Sequence, residues 1–126
     1  MLKIVFSMVV CTTLLAMGLG VLGFVLFDRL LRIYFQQHRA EWEKSGSPVG
    51  FFWVPQGVKI GRAGMARSSV YSNWWSRLPD WIGSNQEALQ AYRQFKRVKR
   101  ASLMVNALIA VELITIVVLV LTSGAK

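Results

Sequence analysis

Two long apolar stretches bracket a basic, aromatic middle. Residues 4–27 carry no charged side chain, and residues 103–122 carry one, Glu112. At ~1.5 Å of helical rise per residue, either stretch reaches the ~30 Å needed to cross hydrocarbon. The pattern predicts an all-α membrane protein. Its transmembrane helices cover 4–27 and 103–122 in an antiparallel hairpin, joined by a partly helical, irregular loop over 28–102. A secretory signal is the rival reading of the first stretch. Signals have a shorter apolar core and a small-residue cleavage site. Here the stretch runs past that length behind a single basic residue, Lys3, so an uncleaved span is expected.

Within the loop, Leu30, Leu31, Tyr34, Phe35, His38 and Trp42 recur at spacings of three and four, predicting a helix over 28–44. Gly46, Ser47 and Pro48 end it. Gly50, Pro55, Gly57, Gly61, Gly64 and Pro79 then punctuate the chain, so 45–83 is expected to be irregular, with a short helix near 69–77. Ser84-Asn85-Gln86-Glu87 reads as a capping box. It opens a helix over 85–102 that meets no proline or glycine before Ser123, giving one element of ~57 Å with the second span. With the spans in lipid, the remainder looks too polar and broken to bury a large core of its own.

Composition changes the picture in three ways. The 126-residue chain carries a net charge of +9, which points to anionic partners. With the charge beside the spans, lipid headgroups are the first reading and nucleic acid is not expected. One cysteine, Cys11, permits no disulfide within the chain, and the lone His38 has no companion at ligand spacing, so no metal or cofactor is expected. All five tryptophans lie between the spans. Trp42, Phe51, Phe52, Trp53, Trp74, Trp75 and Trp81 are expected to anchor at the interface or to meet a partner. Gly18, Gly20 and Gly23 match a dinucleotide fingerprint, but inside a span and after no strand the match has no meaning.

Charge also gives an orientation. Arg29 and Arg32 follow the first span, and Arg93, Lys96, Arg97, Lys99 and Arg100 precede the second, while the other side has Lys3 and Lys126. The positive-inside rule places the loop in the cytoplasm and both termini outside. The same basic residues suit anionic headgroups.

Glu112 falls near mid-depth, where an isolated carboxylate costs several kcal/mol or keeps its proton. Matching levels in a hairpin sets Ala110 against Ala16, Asn106 against Gly20 and Ser102 near Gly23, small residues meeting small residues. Glu112 then points away from the first span, toward a partner or a second copy, with Asn106 as a further polar contact. The alternative packing turns Glu112 inward, to the level of Thr12 and Thr13.

The Gly50-Phe51-Phe52 patch and the basic run Arg93-Gln94-Phe95-Lys96-Arg97-Val98-Lys99-Arg100 resemble the universal stress protein B family, as does the order of span, aromatic loop, basic stalk and span. The resemblance covers residues 28–121. It implies a small bacterial inner-membrane protein linked to stress, without catalytic residues. The leading expectation is a non-enzymatic membrane protein acting through helix and loop contacts. The alternatives are an accessory subunit of a respiratory or transport complex, and an oligomeric proton or ion transporter using Glu112.

Overall fold

A computed structural model describes residues 1–124. Five helices follow one another: α1 (Leu2–Gln37), α2 (Arg39–Lys44), α3 (Ile60–Ser76), α4 (Asp80–Gly83) and α5 (Gln86–Ser123). No strand occurs among the described residues. Both α1 and α5 are long and apolar enough to cross a membrane. The chain is thus an all-α protein with two candidate spans, and it divides into two compact units, a hairpin (1–21 and 98–124) and a module (22–97).

In the hairpin, the more sheltered side chains of α1 are Val5, Val9, Thr12, Ala16 and Leu19, and those of α5 are Val98, Ser102, Val105, Ile109, Glu112, Ile116 and Leu119. Steps of four and three alternate along both helices, the heptad period that keeps one seam facing a partner helix. Most of the remaining Leu, Ile, Val and Met side chains are uncovered.

The module contradicts the expectation that the middle buries little. Its core runs from Leu26 through Phe27, Leu30, Leu31 and Tyr34 to Trp74, Ile82, Ala91 and Phe95. The end of α1 and the start of α5 supply two of its walls, which is why the loop's own composition understated it. Phe27 is the hub, with ring centroids of Tyr71 at 5.1 Å, Trp74 at 5.5 Å, Phe51 at 5.8 Å and Phe95 at 6.2 Å. Tyr34 stacks on Trp81 at 4.9 Å, and the His38 ring lies 5.1 Å from Trp81.

Three local expectations need correction. The segment expected to be irregular holds α3, in which Gly61 stands in the first turn and Gly64 in the interior. An interior glycine costs about 1 kcal/mol against alanine. Burial of Ala63, Val70 and Trp74, one face at spacings of seven and four, offsets that. The cap of α5 is Asn85 rather than Ser84: its side-chain oxygen accepts the Ala88 N–H at 3.2 Å, while the Ser84 hydroxyl donates back to Trp81 O. Glu87 pairs with Arg29 at 3.8 Å instead of closing a capping box. Finally, the helix expected over 28–44 is interrupted at His38, whose backbone (φ −129°, ψ 50°) separates α1 from α2.

Candidate functional site

Asp28 is the first charged residue after the uncharged stretch, and it is 4% exposed. Its carboxylate draws in the segment that follows α2. Oδ1 accepts the Phe51 N–H at 2.7 Å, and Oδ2 accepts those of Phe52 at 2.7 Å and Trp53 at 3.0 Å. Three successive amides around one carboxylate form an anion cradle made by the chain for its own side chain. Hydrogen bonds to a charged group are worth about 1.5–3 kcal/mol each. Gly50 is required for this approach, because a Cβ there would lie 2.5 Å from Asp28 Cγ. The Gly50 N–H donates to Trp53 O at 2.7 Å, closing the turn, and Arg67 donates to Gly50 O at 3.2 Å while its guanidinium lies 4.5 Å from the Phe51 ring centre.

The clamp sorts neighbouring aromatics to opposite sides. Phe51 stacks on Phe24 with centroids 3.9 Å apart, whereas Phe52 is 65% exposed. Across from Phe52, Val25, Arg29 and Arg32 stand one above another on α1 at spacings of four and three. With Asp28 and Phe52 they line a cleft of 330 Å³. Arg32 also borders a second cleft with Phe35, Arg39 and Trp53, and its guanidinium lies 5.8 Å from the Trp53 ring centre.

In the hairpin, Glu112 is 7% exposed and Thr12 Oγ1 lies 2.7 Å from its Oε2. Glu112 therefore faces the first span, correcting the expectation that it faces a partner. The level matching places Thr12 opposite Glu112, but the helix is rotated relative to the small-residue alignment. Val105, Ile109 and Glu112 form the seam, while Asn106 and Ala110 lie outside it and are exposed. A Cβ on Gly20 would meet nothing within 4 Å, so no close backbone approach occurs there. Ala16 and Ser102 are half-covered and Gly23 is buried. Thr12 Oγ1 also lies 2.9 Å and 3.0 Å from the carbonyls of Met8 and Val9. Its single proton goes either to the carboxylate or to its own helix. Glu112 Oε1 is buried without a hydrogen-bond partner among the described residues.

The expected contact aromatics divide. Trp42, Trp74 and Trp81 are buried; Phe51, Trp53 and Trp75 are half-buried. Trp42 is fixed further by its Nε1–H donating to Pro48 O at 3.0 Å. Only Phe52 of the seven is exposed, so core packing takes Trp42, Trp74 and Trp81 away from any partner surface. Among the basic residues, Arg29, Arg32, Arg93, Arg97 and Arg100 are exposed and Lys99 is half-buried. Lys96 is not free for headgroups: its amine donates to Trp75 O at the end of α3 and sits 4.2 Å from the Trp75 ring centre. Tyr92 donates to Trp74 O at 2.8 Å beside it, and burial raises its pKa.

Asp28 and Gly50 are the residues that sequence reasoning missed. An acid at the end of an uncharged stretch, and a glycine ahead of three large side chains, were the available signals. No family model, curated protein or solved structure matches the chain.

Proposed function

We propose that the chain is a non-enzymatic integral protein of the bacterial inner membrane that acts through contacts of its helices and of the module between them. The supporting observation is how the buried acids are used. Asp28 is occupied by three backbone amides and one oxygen of Glu112 lies against Thr12, so both acids are engaged within the fold. The uncovered Leu, Ile and Val side chains of both spans suit lipid or a partner helix. The basic residues beside the spans favour a cytoplasmic module with both termini periplasmic. A link to stress rests on the resemblance carried by Gly50-Phe51-Phe52 and the basic run.

The accessory-subunit reading is favoured by Asn106, a carboxamide exposed on the outside of a span, where a neighbouring helix would satisfy it. Gentle detergent extraction of the tagged full chain, sizing and mass spectrometry separate the two. A small assembly without a stoichiometric companion supports the self-contained protein. A fixed larger complex replaces it with a subunit, and Glu112-dependent proton flux in liposomes would replace both with transport.

A further inference from the structure

We infer that the cleft between α1 and the clamped turn is a binding site for a single anionic glycerophospholipid. The inference rests on the membrane reading above and names a discrete ligand for it. Val25, Arg29 and Arg32 share one face of α1 at the end of the uncharged stretch, and Phe52 stands across from them. This order matches a lipid's own. Val25 lies on the hydrocarbon side of both arginines, and with Phe52 it offers an apolar wall to the upper acyl chain. Two guanidiniums, four and seven residues further along, suit a phosphodiester, which arginine binds through paired N–H donors.

The charges in the cleft leave Arg32 as the dominant group. Asp28 lines the same cleft, but both its oxygens already accept N–H groups from residues 51–53. Arg29 faces Glu87 at 3.8 Å in a pair whose side chains are 53% and 58% exposed, a weak and screened interaction. Arg32 makes no hydrogen bond or ion pair among the described residues and lies 5.8 Å from the Trp53 ring centre. The aromatic ring steadies the guanidinium without using its donors. The Asp28 clamp fixes the turn, so the cleft has a wall before lipid arrives. Arg97, equally basic and exposed on α5, lines none of this cleft, so it separates a built site from general surface charge.

The test uses the full chain in detergent, titrated with phosphatidylglycerol or phosphatidylcholine and followed by native mass spectrometry. One phosphatidylglycerol should bind at saturation, at least about fivefold more tightly than phosphatidylcholine. Arg32→Gln should weaken phosphatidylglycerol about fivefold and leave phosphatidylcholine unchanged. Phe52→Ala should weaken both lipids, and Arg97→Gln neither. Soluble glycerol 3-phosphate should not displace the bound lipid. The site is overturned if Arg97→Gln matches Arg32→Gln, if the two lipids bind alike, or if glycerol 3-phosphate competes as an equal. The last result would make it a site for soluble phosphate. Release of the chain from vesicles by alkaline carbonate would instead overturn the membrane reading, a different failure with a different readout.

Discussion

Leu14 and Leu30 belong to the same helix, yet Leu14 is 64% exposed and Leu30 is fully buried. The contrast runs through the molecule. In the module, apolar and aromatic side chains close on one another around Phe27. In the hairpin they face outward, and the seam carries small residues, β-branched residues and one polar pair. Water drives the first arrangement, since apolar area removed from it is worth about 25 cal/mol per Å². The second makes sense only if the surroundings are themselves apolar, because lipid removes that driving force and leaves packing and hydrogen bonds to hold helices together. One continuous helix thus contributes to both regions, and its burial sets in at Gly23, Leu26 and Phe27, ahead of Asp28.

The sharpest way to break this comparison is to truncate one large apolar residue in each region. Phe27→Ala should cost about 3–5 kcal/mol, because it opens a cavity among four aromatic rings. Leu14→Ala should change stability by less than about 0.5 kcal/mol in detergent or lipid, where its side chain already meets apolar solvent. Tryptophan emission during denaturation in mixed micelles reads both, since every tryptophan lies in the module. Similar losses for the two variants would mean that the outer face of α1 is covered by a partner, and the comparison would fail.

A smaller effect sharpens the hairpin side. Thr12→Val removes the hydroxyl that bonds Glu112 Oε2 and leaves the buried carboxyl group without that partner, at a cost of about 1–2 kcal/mol. Thr12→Val with Glu112→Leu replaces the pair by apolar groups and should recover most of that loss. Disulfide formation between cysteines at positions 16 and 109 reports the seam. It should slow in the single variant and return in the double. Equal rates in both would show that the seam alone, without the polar pair, sets the packing.

How far the chain could be read without coordinates follows the same division. In the spans the local rule and the final environment agree: an uninterrupted apolar stretch predicts a helix, and lipid asks for nothing more. Level matching also places Thr12 beside Glu112, but the ridge of small residues points to another face than the one used: the seam follows the 3–4 heptad spacing of Val105, Ile109 and Glu112. In the module, local signals and tertiary packing compete. Gly61 and Gly64 looked like breakers, yet burial of Val70 and Trp74 carries α3 through them. The tryptophans looked like surface anchors because composition does not reveal that the ends of two spans wall them in. Asp28 was invisible for another reason: its partners are backbone amides more than 20 positions away, which no side-chain pattern encodes.

The smallest effect concerns pH and belongs to the module alone. Burial raises the pKa of Tyr92, and it does so for Tyr34 too, where Glu41 adds to the rise and a hydrogen bond with Ser45 opposes it. Unfolded tyrosines ionise near pH 10. Above that value the unfolded chain has given up protons that the folded module still holds, so stability falls as pH rises. The contribution is fully present below about pH 10 and is lost as pH climbs through the raised values. Tyr92→Phe removes the hydrogen bond to Trp74 O and should cost about 1 kcal/mol at neutral pH. It should also flatten the alkaline decline, which a purely structural loss would not do. The hairpin segments contain no tyrosine. Near-ultraviolet circular dichroism, which sees the packed rings, should therefore fade at lower pH than the far-ultraviolet helix signal that both regions share. Simultaneous loss of the two signals would join the regions into one cooperative unit and end the distinction between them.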